Sequence, residues 1–377
     1  KPLAIRSKKP RRKSVQPRAV APLNRYDIET VFGIESYVET ELRQQLRSRL
    51  VLHKRTKPGR IRIDYAGDVG GLIDLRSAVA VYGTLSVPTR RPTGLLGHGN
   101  FTTLVSKARD VMKRYPAGTF TTLSISASGK ETKVIRRIID SLCDELGLAY
   151  EGGQAELAIA LTRSSQDEPG WDVSIRLTPR PLSTRSWRVC NMPGAINATV
   201  AHVVAQLTNP APHQHFLNLA CGSSTIMIER LRIGLVRSAV GVDIDPAAID
   251  CSAQNLSAGN LGIDARLVCA DAVDLPFPNA SFDAIVADLP FGMLVARNDD
   301  NAVFYPKVLM EAARVAKSQA IFSLIAVDHR SIQQATDSLG KYWRIKQTVP
   351  FKLSFKRGYI SPSIFVLERS NVEVVGG

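Results

Sequence analysis

The stretch "IVADLPFG", residues 285–292, places a carboxylate, a proline, an aromatic ring and a glycine directly after a short apolar run. Asp288 can accept hydrogen bonds at a strand end, Pro290 stiffens the turn, and Phe291 offers a flat face on which a base can stack. These properties suit chemistry at an exocyclic amino group, which is a poor nucleophile because its lone pair is delocalised into the ring. Hydrogen bonds to Asp288 and to the Leu289 carbonyl would orient the nitrogen and stabilise its developing positive charge.

A second candidate position follows the strand "FLNLA", which runs into the small residues Cys221 and Gly222 before a helix. Small residues let a ligand approach the backbone, and the amino terminus of a helix favours an anionic group such as a carboxylate. Only one glycine is present, so the GxGxxG pattern of a pyrophosphate cradle is absent. An ordinary strand-to-helix turn is the alternative explanation of this stretch.

Two further carboxylates follow the apolar runs in "GVDIDP" and "CADAVDLPF". Asp243 can accept hydrogen bonds from two ribose hydroxyls, whereas Asp245 before Pro246 is better explained as a helix cap. Asp271 can accept a hydrogen bond from an adenine amino group, although an Asp-initiated turn explains it nearly as well. Ligands of parallel sheets bind where strands end, so these positions together predict one site.

The elements that would position these residues alternate between short apolar strands and helices after residue 195. Such strands are typical of a parallel sheet covered by helices on both faces. The last segments, "WRIKQTVPFKLS" and "SIFVLER" around the turn "FKRGYISP", indicate an antiparallel hairpin. Five parallel strands with a terminal hairpin predict the α/β, Rossmann-like, seven-stranded sheet of a class I methyltransferase. A nicotinamide dehydrogenase is a distant alternative.

The preceding half predicts two smaller α/β units. The first has a β-α-β-β-α-β order, which indicates a ferredoxin-like fold. The second contains two amphipathic helices, and the later one carries Lys133, Arg136 and Arg137 on its polar side. The segment "PRPLSTRSWRVCNMPG" has proline near both ends and is the natural linker. The predicted divisions are a basic flexible arm at 1–22, a ferredoxin-like domain at 23–98, a second unit at 99–180, a linker at 181–195 and a methyltransferase domain at 196–377.

The charge distribution indicates a polyanionic partner. The chain of 377 residues carries a net charge of +15; residues 1–190 hold 33 lysines and arginines against 18 acidic residues, and residues 191–377 hold 16 of each. A one-sided excess favours nucleic acid bound by the first half, with a solubilising arm as the alternative.

Composition also bounds the cellular setting. No apolar run approaches the ~20 residues that span a bilayer, and the first residues do not form a secretory signal. The absent initiator methionine suggests a trimmed start. The five cysteines show no CxxC pair and no even framework, which predicts a reduced, cytoplasmic environment. His213 and His215 are interpreted as ordinary polar residues, so no metal is expected.

Together, "NLACGSSTI", "GVDIDPAAI", "ADAVDLPF" and "ADLPFG" resemble motifs of S-adenosylmethionine-dependent methyltransferases that act on amino nitrogens. With the two preceding units and the linker, the chain from about Tyr26 to Glu373 resembles the THUMP-domain tRNA guanine-N2-methyltransferases. This resemblance implies a ferredoxin-like region, a THUMP domain at 99–180 and a class I methyltransferase domain. It also implies S-adenosylmethionine as cofactor and N2-methylguanosine formation at position 6 of the tRNA acceptor stem. The THUMP domain would hold the tRNA 3′ end and set the distance to the target.

The resemblance assigns roles to particular residues, and two positions depart from the family pattern. Leu289 stands where a second proline is common, and Ser224 stands where glycine is more usual. No metal is implied, and a monomer is expected. The implied cofactor-binding residues are Asn218, Ala220, Cys221, Gly222, Asp243, Ile244, Asp271 and Ala272; the catalytic residues are Asp288, Leu289, Pro290 and Phe291; and the substrate-binding residues are Lys133, Arg136, Arg137, Arg185, Arg188, Arg357 and Tyr359.

Two other functions remain open from the sequence. The strip around Asp288 would also serve an amino-methyltransferase that acts on DNA adenine or on a protein glutamine side chain. A non-catalytic RNA-binding protein with a degenerate methyltransferase fold is the second alternative. Intact Asp288, Asp243 and Gly222 favour an enzyme.

Overall fold

The structure is a computed structural model that describes residues 24–46, 50–54, 57–164, 169–261, 265–289, 298–355 and 358–371. The predicted basic arm at 1–22, together with Pro290, Phe291 and Arg357, lies outside the described residues. Within those ranges, every helix is too short or too polar to cross a membrane.

The first half forms one eight-stranded sheet, which is called the N-terminal unit below. Alternate residues of its strands are apolar, and Ile61 and Ile63 share one core with apolar residues of three helices, such as Val38, Leu104 and Ile138. Its elements are β1 (Asn24–Glu29), α1 (Glu35–Gln45), β2 (Leu50–Leu52), β3 (Arg60–Tyr65), α2 (Gly70–Ile73), β4 (Ala80–Val87), a 3-10 helix (Pro92–Leu96), α3 (His98–Met112), β5 (Thr122–Ala127), α4 (Lys133–Leu146), β6 (Ala149–Tyr150), β7 (Leu157–Arg163) and β8 (Trp171–Arg176).

The strand order β2-β3-β1-β4-β8-β7-β5-β6 joins the two predicted units into a continuous sheet. The first six elements follow the predicted β-α-β-β-α-β order. β4 then pairs antiparallel with β8, whose sequence belongs to the second unit. The predicted boundary at residues 98 and 99 therefore separates sequence segments that share a sheet and a core.

The second half is a seven-stranded sheet with the order β11-β10-β9-β12-β13-β17-β14. Its first five strands are parallel, and β17 is antiparallel to both of its neighbours, as the sequence predicts. Its elements are α5 (Ala198–Gln206), β9 (His215–Leu219), α6 (Thr225–Ile233), β10 (Ser238–Asp243), α7 (Pro246–Gly259), β11 (Ala265–Cys269), β12 (Phe282–Asp288), α8 (Asn298–Val315), β13 (Ala316–Ala326), α9 (His329–Ser338), β14 (Trp343–Pro350), β15 (Leu353–Phe355), β16 (Gly358–Ile360) and β17 (Ser363–Arg369).

The strand order places a crevice at the carboxyl ends of β9 and β12. From β9 the chain runs outward through β10 to β11, and then returns to β12 on the other side of β9. Helices on opposite faces leave such a reversal point open, which is where ligands of open α/β sheets bind. A small hairpin, β15 and β16, lies at the same edge of the sheet. Ser363, which follows the hairpin, pairs with Ala326 on β13, and the preceding residue of β13, Ile325, pairs with Asp288.

The N-terminal unit packs directly on the second half of the chain. Val31 and Ile34 are buried in one apolar cluster with residues of α5, including Val200. The linker is also attached, since a disulfide joins Cys190 to Cys251 on α7. The sequence did not predict this disulfide, because cysteine spacing alone could not show that residues 61 positions apart become neighbours.

Candidate active site

The loop after β9 has a backbone shape that exposes it to a ligand. Ala220, Gly222 and Ser224 all have positive φ angles, of 45°, 53° and 58°. Such angles are uncommon for residues with a side chain, so the loop is held by its surroundings. A Cβ placed on Gly222 would meet no described atom within 4 Å. This open space beside the backbone is what a bound cofactor requires.

Polar side chains of α7 hold this loop. Ser252 Oγ donates to the Gly222 carbonyl at 2.6 Å and accepts from Ser224 Oγ at 2.7 Å. Asn255 Nδ2 donates to the Ser223 carbonyl at 3.1 Å. Ser224 is fully buried, so its hydroxyl serves the loop through Ser252. The serine that replaces the usual glycine therefore has a structural explanation.

Asp243 couples the loop to the end of β10. Its Oδ2 accepts from the Gly222 N–H at 2.8 Å, and its Oδ1 accepts from the Asp245 N–H at 3.1 Å. Asp245 caps α7 by accepting from the Ala247 N–H at 2.9 Å, as the sequence predicts. Ile244 beside them is 66% exposed, which leaves an apolar surface next to a carboxylate. A nucleoside with a ribose diol and a purine face fits this pair of features.

The other predicted cofactor-binding residues surround the same edge. Asp271 is exposed, and its Oδ1 accepts from the Val273 N–H at 3.1 Å, which is the Asp-initiated turn offered by the sequence as an alternative. Its side chain nevertheless remains open to solvent beside half-buried Ala272. Cys221 is buried, and burial raises the pKa of its thiol to about 11. The thiol therefore stays protonated and contributes packing.

Asn218 lies inside the sheet below the loop. It is 1% exposed, and its Nδ2 donates to the Leu219 carbonyl at 3.2 Å. Its Oδ1 is buried and has no hydrogen-bond partner among the described residues. A buried acceptor without a partner is uncommon, and such groups cluster at functional sites.

Asp288 ends β12 across the crevice from the loop. Its Oδ1 is sealed from solvent and, within the described ranges, has no hydrogen-bond partner. Burial raises the pKa of this carboxyl to about 7. Leu289 is 1% exposed, packs into the core, and donates its N–H to the Ile325 carbonyl at 3.2 Å. Desolvation of an unpaired carboxylate is costly, so Asp288 is a strong candidate for a functional role.

The predicted substrate-binding residues fall into two groups. Lys133, Arg136 and Arg137 are all exposed on one side of α4, and Arg136 pairs there with Glu131 at 2.7 Å. Tyr359, on β16 of the small hairpin, is 74% exposed. These side chains are accessible to a large ligand.

Arg185 and Arg188, in contrast, bind the protein itself. Arg185 is 8% exposed and donates from Nε to Glu229 Oε1 at 2.9 Å. Arg188 donates from Nη2 to the Ile196 carbonyl at 2.9 Å and to Thr225 Oγ1 at 2.8 Å. The sequence predicted that these two arginines bind RNA. In the structure, both hold the linker in place through bonds within the protein.

Sequence reasoning missed Ser252, Asn255 and Glu229. All three are fully buried polar residues on α6 and α7. Each is a polar residue at a helix position that otherwise faces the core, which indicates a buried hydrogen-bond partner. The sequence could not show which residue that partner is. Among the described residues, no three His, Cys, Asp or Glu side chains are grouped as metal ligands.

Residues 185–356 match the family model UPF0020, described as an RMKL-like methyltransferase domain. This part of the chain is similar to RMKL-like methyltransferase domains. S-adenosylmethionine is the methyl donor of such a domain, and the predicted cofactor is thereby confirmed. The open backbone at Gly222, the Asp243 carboxylate and the exposed Ile244 fit the amino-acid and nucleoside parts of that molecule.

Named relatives and a solved structure extend the comparison. The tRNA (guanine(6)-N(2))-methyltransferase THUMP3 of Mus musculus is 27% identical over 212 residues, which cover 52% of this chain and 41% of the relative. The U6 snRNA (guanine-N(2))-methyltransferase THUMPD2 of Mus musculus is 27% identical over 158 residues, which cover 42% and 29%. The crystal structure of TrmN from Thermus thermophilus matches with a TM-score of 0.69 and 21% identity over 92% of this chain and 99% of that one.

These likenesses confirm the fold predicted for the whole described chain. The predicted family resemblance is confirmed by the methyltransferase match and by the similarity to guanine-N2-methyltransferases. The chain spans less than half the length of the curated relatives named here.

Proposed function

We propose that this protein is an S-adenosylmethionine-dependent RNA methyltransferase that forms N2-methylguanosine at position 6 of the tRNA acceptor stem. The observation that carries the proposal is Asp288, a half-buried residue whose Oδ1 is sealed from solvent and has no partner within the described ranges. It lies at the sheet edge that presents Gly222 and Asp243. The names of the similar proteins support RNA guanine as the substrate, because THUMP3 and THUMPD2 are both guanine-N(2)-methyltransferases.

The described residues divide the work between holding the donor and orienting the acceptor. Bound S-adenosylmethionine supplies an electrophilic methyl group. Gly222 and Asp243 would hold its amino-acid and ribose parts, and Asp288 Oδ1 would accept a hydrogen bond from the guanine 2-amino group. This bond turns the nitrogen lone pair toward the methyl carbon and opposes the positive charge that develops on nitrogen. The Asp288 carboxylate would accept the proton that the amino group releases when it takes the methyl group that the bound donor would supply.

The charge and surface of the first half support an RNA substrate. Residues 1–190 carry the whole net positive charge of the chain. Lys133 and Arg137 are exposed on α4, where they are available to phosphates, and we assign this THUMP region to the tRNA 3′ end. A guanine inside a stem must be flipped out, at roughly a few kcal/mol. Tyr359, on the hairpin at the same sheet edge as Asp288, is available to stack on an exposed base.

Nucleoside mass spectrometry of a tRNA transcript incubated with the enzyme and S-adenosylmethionine tests the proposal. The wild type is expected to produce N2-methylguanosine, and Asp288→Asn is expected to lower the yield at least 100-fold. Asp283→Asn is the matched control, since Asp283 lies at the other end of β12 and binds the His215 N–H and Lys317 Nζ. Equal yields from wild type and Asp288→Asn would contradict the assignment. Methylation of duplex DNA or protein glutamine in place of tRNA would favour the alternative enzymes.

A further inference from the structure

One buried carboxylate, Glu229 on α6, lies where the N-terminal unit, the linker and the methyltransferase domain meet. Its side chain has no exposed surface. Arg76, between α2 and β4, donates from Nε to Glu229 Oε2 at 2.9 Å and from Nη2 to Oε1 at 2.8 Å. Arg185 of the linker donates to Oε1 at 2.9 Å. Three segments that are distant in sequence therefore converge on one side chain.

The same residues are also connected to each other and to neighbouring helices. Arg185 Nη2 donates to the Arg76 carbonyl at 2.6 Å. The Arg76 N–H donates to Glu41 Oε1 on α1 at 2.7 Å, so the backbone that carries Arg76 is fixed as well. His202 Nδ1 on α5 lies 3.3 Å from Glu229 Oε2. The cluster thus links helices of both halves of the molecule.

The charge on Glu229 is maintained by these partners. Burial alone would raise the pKa of its carboxyl, but His202, Arg185 and Arg76 together lower it to about 2. Glu229 is therefore ionised throughout the physiological pH range. A buried, bidentate arginine–carboxylate pair is directional, because its two parallel hydrogen bonds tolerate little rotation.

The position of Glu229 connects this cluster to the cofactor. α6 begins at Thr225, immediately after the loop that contains Gly222. The apolar contact of Val31 and Ile34 with α5 holds the halves together but is not directional. The ion cluster, in contrast, fixes the orientation of the N-terminal unit relative to the cofactor loop.

We propose that Glu229 is a positioning residue: the ion cluster around it fixes the distance between the N-terminal unit and the cofactor loop, and loss of the cluster changes which guanosine of a bound RNA is methylated. The second part rests on the proposed function, in which the N-terminal unit holds the RNA at one point while the methyl donor lies at another. A fixed spacing then defines how many nucleotides separate the two points. Loss of the spacing would leave methyl transfer possible but would spread it over neighbouring guanosines.

The first test measures the spacing without RNA. Spin labels on exposed Thr103 of α3 and Gln334 of α9 report the distance between the halves. Cys143 and Cys269, the described free cysteines that are not buried, are first replaced by serine. Arg76→Met and Glu229→Gln are expected to widen the distance distribution at least twofold. Arg76→Met keeps Arg185 beside the carboxylate and is the milder variant, in case Glu229→Gln does not fold. An unchanged distribution in a folded variant would overturn the proposal.

The second test maps the methylated position by mass spectrometry of RNA fragments. The Arg76→Met variant is expected to show a kcat/KM at the principal guanosine at least tenfold lower than that of the wild type, and to methylate adjacent guanosines as well. Its affinity for S-adenosylmethionine should stay within twofold of wild type. Asp172→Asn is the control, because it breaks a buried ion pair with Arg62 inside the N-terminal unit and should leave the position unchanged.

Methylation by Arg76→Met at the single wild-type position with wild-type kcat/KM would contradict the proposal. A wild-type enzyme that leaves RNA unmethylated would contradict the proposed function instead, and the spin-label distances would still decide the role of Glu229.

Discussion

At the scale of single residues, two aspartates on β12 have opposite environments. Burial raises the pKa of the Asp288 carboxyl to about 7, so folding favours its neutral form. Asp283 is also partly buried, which would raise its pKa, but Lys317 and the His215 N–H more than compensate and lower it. One carboxylate therefore costs stability when ionised, and the other contributes to it.

This contrast predicts opposite effects of two isosteric substitutions. Between the ordinary Asp pKa of 3.8 and about 7, folded Asp288 keeps a proton that the unfolded chain releases, so its contribution to stability falls as pH rises. Asp288→Asn should therefore raise Tm at pH 8 and have little effect near pH 4.

The contribution of Asp283 to stability is present above pH 3.8 and is lost as pH falls through its lower folded pKa, so Asp283→Asn should lower Tm at pH 8. Calorimetry at both pH values checks this, and a lower Tm for Asp288→Asn at pH 8 would contradict it.

The sequence predicted the positions of some functional residues and not the partners of others. Asp243 and Asp288 follow apolar strands, and parallel strands bring their carboxyl ends together, so a shared site could be predicted. Arg185 looked like an RNA ligand because its partner Glu229 is 44 residues away and nothing in the sequence pairs them. Long-range contacts of this kind require the fold.

At the scale of elements, the cofactor loop depends on α7. The hydroxyl of Ser252 connects two positions of the loop, Gly222 and Ser224, through bonds of 2.6 and 2.7 Å. The loop residues Ala220 and Ser224 also have positive φ angles, which are unfavourable without such support. The shape that receives the donor is therefore maintained by a neighbouring helix.

Ser252→Ala should weaken S-adenosylmethionine binding by about 2- to 10-fold, the effect of losing a hydrogen bond worth about 0.5–1.5 kcal/mol. Isothermal titration calorimetry measures this directly. Ser338→Ala, which removes a hydroxyl bonded to the Ala335 carbonyl on α9, is the control and should bind normally. Wild-type affinity in Ser252→Ala would show that the loop holds its shape without the helix.

Periodicity predicted the long elements better than the short ones. Apolar runs located β9, β10, β12 and β13, because buried parallel strands are nearly continuous in hydrophobicity. The strands β2, β6, β15 and β16 contain only two or three residues, which is too short for a period. The pairing of β4 with β8 also escaped prediction, since alternation shows which residues face a core but not which strands are neighbours.

At the scale of the whole molecule, charge is separated from chemistry. The N-terminal unit carries the basic surface, including Lys133 and Arg137, whereas the predicted donor site lies in the balanced second half. This separation predicts that RNA affinity and cofactor affinity can be changed independently.

Lys133→Ala and Arg137→Ala should each weaken tRNA binding and reduce the slope of log K against log salt by roughly 0.7–0.9, since each removes one phosphate contact. Filter binding at several salt concentrations measures both quantities, and S-adenosylmethionine affinity should be unchanged. Lys341→Ala is the control, because Lys341 is an exposed lysine just before β14 in the other half. Unchanged salt slopes in both α4 variants would place the RNA on another surface.

The central claim is that a guanine amino group and the methyl donor meet at the end of β12. A crystal structure of the protein with S-adenosylhomocysteine and a guanosine-containing RNA tests it most directly. We expect the cofactor to lie against Gly222 and Asp243, and the guanine N2 to lie about 2.6–3.2 Å from Asp288 Oδ1. A cofactor bound elsewhere, or a guanine N2 outside hydrogen-bond distance of Asp288, would contradict it.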